Sequence, residues 1–212
     1  MKIAILDDYQ DTVSTLDCFK LLAGHDVLVL TETFTDPKVL AAKLGDVEAL
    51  VLIRERTHIT EALLSMLPQL KLISQTGRIS HHIDLSACQR YGVSVVEGIG
   101  SPVAPAELCW ALMLAANRNL PAYCANLSAG EWQHSGSLGL GRTLSGLTLG
   151  IWGYGKIGQR IAQYGKAFSM RVFVWGSEAS RMKATEHGFY RRRKQSGILQ
   201  RSRCGFSSFA LE

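Results

Sequence analysis

Leu147-Thr148-Leu149-Gly150-Ile151-Trp152-Gly153-Tyr154-Gly155-Lys156-Ile157-Gly158 is the stretch on which the fold turns. A mostly apolar run of strand length passes directly into glycines spaced G-x-G-x-x-G, and helical spacing then runs from Gln159 to Phe168. A second strand follows at residues 171–175. Strand, glycine turn, helix and strand in that order form the setting that a dinucleotide pyrophosphate needs. Gly153 permits the tight turn, Gly155 lets the backbone approach the phosphates, and Gly158 lets the helix lie close to the strand. The helix start adds unpaired N–H groups and a partial positive charge. Gly153, Tyr154, Gly155, Lys156, Ile157 and Gly158 are therefore candidate cofactor-binding residues.

An NAD site usually places an acid at the end of the second strand, about 20 residues past the glycines, to bind the adenosine ribose. Gly176 holds that place here, with Ser177 after it and Arg181 nearby. Without a carboxylate a 2′-phosphate meets no repulsion, and a guanidinium can pair with one. The expected cofactor is NAD or NADP, with NADP slightly favoured and Ser177 and Arg181 as further contacts. The competing reading gives Glu178 the role of the acid, or leaves Arg181 simply solvated.

Upstream of this motif, short apolar runs at residues 3–6, 27–30, 49–53, 70–74 and 93–96 read as buried strands. Helical spacing separates them, with Thr60 placed to cap residues 60–67 and Asp84 to cap residues 84–90. Strands alternating with helices imply a parallel, flavodoxin-like sheet, because parallel neighbours need a crossover. Gly98-Ile99-Gly100-Ser101-Pro102 breaks the pattern, and an apolar helix over residues 105–116 follows with Pro105 in its first turn. A second helical piece spans residues 120–130, and a Gly- and Ser-rich loop at 134–146 leads into the motif. The expected organisation is a substrate domain at 1–100, the first half of an incomplete Rossmann domain at 101–189, and a divergent tail at 190–212.

Charge sharpens that last boundary. The net +5 lies wholly in the tail: residues 190–212 hold six Lys and Arg against Glu212, whereas residues 1–189 hold 17 of each sign. Arg191-Arg192-Arg193-Lys194 is read as solvated, and nucleic acid is not an expected partner. The five cysteines lack a C-x-x-C pair and are expected as reduced, mostly buried thiols. No stretch approaches the length of an apolar membrane span, so a cytoplasmic protein is expected. His81-His82 lacks the spaced partners of a metal site, and His134 falls in a polar loop, so no metal is expected.

Several segments in order resemble the D-isomer-specific 2-hydroxyacid dehydrogenase family. They are Leu70-Lys71-Leu72-Ile73-Ser74-Gln75-Thr76-Gly77-Arg78, then Ile83-Asp84-Leu85, Gly92-Val93, Pro105-Ala106-Glu107, Gly130-Glu131-Trp132, and the run from Leu144 into the glycines. Ile53-Arg54-Glu55-Arg56-Thr57-His58-Ile59-Thr60 is similar to its phosphoglycerate dehydrogenase branch. The resemblance holds to about Phe189. It implies hydride transfer between a nicotinamide and a 2-hydroxy or 2-oxo acid, with the substrate carboxylate held at Gly77 and Arg78. Arg54 and Arg56 are candidates for further anionic groups, although a solvated pair balanced by Glu55 is the competing reading. Glu107 is read as a helix-start residue. The resemblance also implies a homodimer formed through the helices at 105–130.

The family's catalytic Arg, carboxylate and His come from a later segment with no counterpart here, and His187 does not replace them, so no catalytic residue is assigned. The expectation is a chain that does not turn over substrate alone. An alternative is a dinucleotide-binding regulatory module without turnover. The abrupt change after Phe189 is what a shift of reading frame would produce. With only two Rossmann strands expected, the first domain should fold and the second half should be unstable.

Overall fold

The computed structural model describes residues 1–132, 137 and 139–191. The chain divides into two compact units, Met1–Gly100 and Ser101–Glu212. His134, Arg192, Arg193, Lys194 and Cys204 lie outside the described residues.

In the first unit, five strands form one parallel sheet: β1 (Lys2–Ile5), β2 (Asp26–Val29), β3 (Ala49–Leu52), β4 (Leu72–Gln75) and β5 (Ser94–Glu97). Their order is β2-β1-β3-β4-β5, which is the flavodoxin-like order expected for the doubly wound reading. Three short helices connect them: α1 (Pro37–Leu44), α2 (Glu61–Leu64) and α3 (Leu85–Arg90). The crossover from β1 to β2 is instead made of two 3₁₀ segments, Val13–Thr15 and Asp17–Leu22. Leu6, Leu50, Leu52 and Ile73 from the sheet region pack with Leu44, Leu63, Leu64, Ala87 and Cys88 into one buried core.

Both expected caps form. The Asp84 carboxylate accepts from the Ala87 N–H at 2.9 Å, and the Thr60 hydroxyl accepts from the Leu63 N–H at 3.4 Å. The helix after Thr60 is shorter than expected, because Pro68 follows soon after its last turn. β4 also starts two residues and ends one residue later than the apolar run suggests, closing on the polar but buried Gln75.

The second unit opens with α4 (Val103–Asn117) and α5 (Leu120–Ser128). The first of these starts ahead of Pro105, with the Ser101 hydroxyl accepting from the Val103 N–H. Then come β6 (Thr148–Trp152), α6 (Lys156–Ala167), β7 (Arg171–Trp175), α7 (Glu178–Glu186) and β8 (Tyr190–Arg191). The strand order β6-β7-β8 is parallel throughout.

β8 corrects the sequence reading. Tyr190 pairs with Phe173 and Arg191 with Val174, so the first two residues assigned to the tail complete a βαβαβ unit. Two residues are too few to show a hydrophobic period, and the strand is held by its neighbour and by Phe173–Tyr190 ring stacking at 5.0 Å. The cysteines also depart from expectation: only Cys88 is buried among those described, whereas Cys18 and Cys124 are exposed and Cys109 is partly covered.

The unit's core runs between sheet and helices. Leu149, Ile151, Val172 and Val174 pack with Ile161 and Ala162 of α6 and with Ala106, Trp110 and Met113 of α4. Trp110 also meets the Tyr164 and Phe168 rings edge-on, at 5.7 and 5.0 Å. Gly165 marks the closest approach of α6 to the sheet: a Cβ there would stand 2.7 Å from Leu149 Cδ2 and 2.9 Å from Val172 Cγ2. Among the described residues, no helix is long and apolar enough to cross a membrane.

The two caps give a direct test. Asp84→Ala should cost about 1 kcal/mol, and Thr60→Ala should cost less, because its hydrogen bond is longer. Urea unfolding followed by circular dichroism measures both; equal midpoint shifts would contradict the assignment.

Candidate functional site

In the second unit, the end of β6 and the start of α6 form a cradle. Gly153 has φ +91° and donates its N–H to the Trp175 carbonyl at 2.7 Å, so the turn is tied to the end of β7. A side chain in that backbone region would be strained. α6 starts at Lys156 with Gly155 as its N-cap, earlier than the Gln159 start expected from the sequence. Helical spacing is masked there because Gly158 lies in the first turn, and glycine reads as a helix breaker.

A Cβ on Gly158 would lie 2.4 Å from the Gly153 carbonyl oxygen, so no other residue fits without moving the backbone. Next to Gly155, by contrast, an added Cβ meets no atom within 4 Å. The first N–H groups of α6 have no acceptor within the helix and are available to an anion. Lys156 is exposed beside them, and the first turn carries no acid. These residues fit a pyrophosphate.

The Tyr154 side chain is not part of that cradle. Its ring is buried against Phe189 and His187, and its hydroxyl lies 3.0 Å from His187 Nδ1. Gln159 Nε2 donates to the Tyr154 carbonyl at 3.0 Å, holding the turn from inside. Tyr154 therefore anchors the loop to the segment after α7, and Ile157 likewise packs its side chain on the core. An open cleft runs beside the turn, lined by β6, by Cys109 and Met113 of α4 and by Ile161 of α6. Burial pushes the Cys109 thiol up, so it is a neutral, apolar wall.

At the end of β7, Gly176 occupies the place of the usual acid, and a Cβ there would lie 3.5 Å from Gly153 Cα. Ser177 caps α7: its hydroxyl accepts from the Ser180 N–H at 3.3 Å. Arg181 is half-buried one turn further on, and Glu178 is exposed in the first turn.

In the first unit, the order β2-β1-β3 reverses the chain's direction of progress, and such a switch point opens a crevice at the carboxyl ends of β1 and β3. Two non-glycine residues with positive φ flank it, Asp7 at +61° and Arg54 at +58°. Each costs roughly 1–3 kcal/mol, which the surroundings must offset. Asp7 is buried, and its carboxylate accepts from the Thr57 hydroxyl at 2.7 Å and from the Thr33 hydroxyl.

The two arginines of this rim separate. Arg56 Nη1 donates to the Asp7 carbonyl at 2.6 Å, and its guanidinium stacks over the Tyr9 ring at 4.1 Å. It is a latch between the loops after β1 and β3. Arg54 is exposed, and its carbonyl accepts from Gln75 Nε2 at 3.1 Å.

Beyond β4, Gly98 donates to the carbonyls of Gln75 and Gly77 at 2.8 and 3.1 Å, and the Ile79 N–H donates to Glu97. A Cβ on Gly98 would stand 2.8 Å from the Thr76 carbonyl oxygen, so this approach also requires glycine. Among the described residues, the Gly77 and Arg78 N–H groups donate to no protein acceptor. His81 is exposed while His82 is buried against Gln75, so the adjacent histidines do not converge. The Gln75–His82 pair is missed by sequence reasoning, because no local spacing signals it.

Comparison with known proteins agrees with this geometry. Residues 110–208 match the family described as D-isomer specific 2-hydroxyacid dehydrogenase, NAD binding domain, and so extend past Phe189, where the sequence resemblance was drawn to a close. The chain is 33% identical to D-3-phosphoglycerate dehydrogenase of Methanocaldococcus jannaschii over 81% of its length, covering 31% of that relative. The solved phosphoglycerate oxidoreductase of Vibrio cholerae O395 is 62% identical, with a TM-score of 0.89 over 95% of this chain and 64% of that one. D-lactate dehydrogenase of Aquifex aeolicus, solved with NAD and lactic acid, is 28% identical, with a TM-score of 0.70 over 94% of this chain and 58% of that one. The chain thus spans about a third of the curated relative and less than two thirds of the solved ones. A parallel first sheet, a glycine-turn βαβαβ unit and these likenesses together place the chain in the D-isomer-specific 2-hydroxyacid dehydrogenase family.

Proposed function

We propose that this chain carries the nucleotide cradle and the substrate-anchoring loops of an NAD(P)-dependent 2-hydroxyacid dehydrogenase, and that these 212 residues alone do not turn over substrate. The observation that carries the reading is the start of α6, where Gly155 leaves open space and Gly158 brings the helix against the turn. The N–H groups of Lys156, Ile157 and Gly158 hold the pyrophosphate, and the Lys156 ammonium adds charge. A bound nicotinamide supplies the hydride chemistry. Ser177 and Arg181 meet the adenosine ribose, and the lack of a carboxylate at Gly176 favours NADP over NAD.

On the first unit, the Gly77 and Arg78 N–H groups take the carboxylate of a small 2-hydroxy or 2-oxo acid, and Arg54 supplies the positive charge. No Arg, carboxylate and His set for catalysis is assigned, which is why turnover is not expected. The apolar side chains Leu108, Leu112, Leu120 and Leu127 are exposed on α4 and α5 and support a homodimer through residues 105–130.

Isothermal titration should show saturable NADPH binding a few-fold tighter than NADH, and Arg181→Ala should remove that difference. Equal affinities in the unaltered chain would contradict the NADP preference, and absence of heat with either would contradict the cradle. Glyoxylate or hydroxypyruvate added with the reduced cofactor should produce no change in nicotinamide absorbance; turnover would overturn the inactive reading. In sedimentation velocity, Leu108→Asp combined with Leu112→Asp should convert a dimer to a monomer, and a monomeric unaltered chain would remove the dimer proposal.

A further inference from the structure

Gln75 closes β4 with 1% of its surface exposed, and both ends of its amide are used. Its Nε2 donates to the Arg54 carbonyl at 3.1 Å, and its Oε1 lies 3.2 Å from His82 Nε2. A carbonyl oxygen can only accept, so the Arg54 contact fixes which way the amide faces. Oε1 can only accept as well, so the proton of His82 sits on Nε2. The other ring nitrogen, Nδ1, is buried without a hydrogen-bond partner among the described residues. A bare acceptor there is tolerable, whereas an N–H would be a buried donor left unsatisfied. The geometry therefore holds His82 in one neutral tautomer.

The amide stands between the two segments assigned to the substrate. Its Nε2 touches Arg54, whose backbone is left-handed at φ +58°, and lies 3.9 Å from the position a Cβ on Gly77 would take. The two loops are also stitched through the backbone: the Ile59 N–H donates to the His82 carbonyl at 2.8 Å, and the Asp84 N–H to the Ile59 carbonyl at 3.0 Å.

We propose that Gln75 and His82 are positioning residues: His82 fixes the Gln75 amide, and Gln75 holds Arg54 in the left-handed backbone that sets its guanidinium and the Gly77–Arg78 amides around one carboxylate. The inference rests on the substrate reading above for its ligand, but not for its backbone geometry. Burial keeps the His82 ring below its ordinary value of 6.5. Of the charged groups facing it from the loop after β3, Glu55 favours protonation and His58 opposes it, and burial outweighs both. A depressed histidine contributes fully above its unfolded value, and its contribution is lost as the pH falls below about 6.5.

The test uses the full chain, with NMR as readout and glyoxylate as probe. His82→Leu removes the donor, Gln75→Leu removes the relay, and His82→Gln supplies an amide N–H in place of the ring. Both leucine variants should shift the Arg54 backbone resonances away from left-handed values and weaken glyoxylate binding about tenfold, the scale of one hydrogen bond near a charge. His82→Gln should restore both. In the unaltered chain glyoxylate affinity should hold through pH 6.5 and fall only at lower pH, where the buried His82 ring takes up a proton, and in His82→Gln it should stay level. A folded leucine variant with unchanged Arg54 resonances overturns the positioning role, as does unchanged affinity. Should Gln75→Leu not fold, His82→Leu and His82→Gln decide alone. If the unaltered chain binds no glyoxylate, the substrate reading and the binding half of this inference both fall, while the Arg54 resonances still decide the positioning half.

Discussion

Close backbone approach, made possible by missing side chains, is the constraint on which the second unit depends. α6 lies against β6 and β7 only because Gly158 leaves room for the Gly153 carbonyl and Gly165 leaves room for Leu149 and Val172. These two contacts lie two turns apart along the helix and fix both its height above the sheet and its direction. The apolar packing of Ile161 and Ala162 then follows. The same direction aims the free N–H groups past Gly155 into open space, so packing and anion binding share one cause.

The first unit solves a different problem, which is to keep strained and polar groups at the carboxyl rim of a fully parallel sheet. Asp7 and Arg54 have left-handed backbones on opposite sides of the switch point, and each is held by hydrogen bonds from neighbouring side chains. Thr33 and Thr57 take the Asp7 carboxylate, Arg56 takes its carbonyl, and Gln75 takes the carbonyl of Arg54. Side chains that look like ligands in the sequence are thus divided between those that build the rim and those left free to use it.

That division explains which features could be read without coordinates. The strands were legible because parallel strands are apolar runs, and the caps were legible because Thr60 and Asp84 immediately precede helical spacing. β8 was not, since Tyr190–Arg191 is too short to carry a period and is made by pairing with Phe173 and Val174. The glycine motif marks the turn but carries no sign that the Tyr154 side chain is buried against His187 and Phe189, which lie more than 30 residues away. Arg54 and Arg56 are equivalent in sequence, and only the Tyr9 ring and the Asp7 carbonyl tell them apart. The Gln75–His82 contact joins a strand end to a loop, so no local pattern announces it.

Trp152 and Trp175 are register partners at the ends of β6 and β7, and their rings meet edge-on with centroids 4.5 Å apart. Gly153 and Gly176 follow them directly in the chain. Two indoles this close share their electronic excitation, so the chain carries an intrinsic chromophore pair whose optical activity depends on the angle between adjacent strand ends. Any event that opens or tightens the glycine turn moves one ring relative to the other, and the cradle reports on its own geometry without a label.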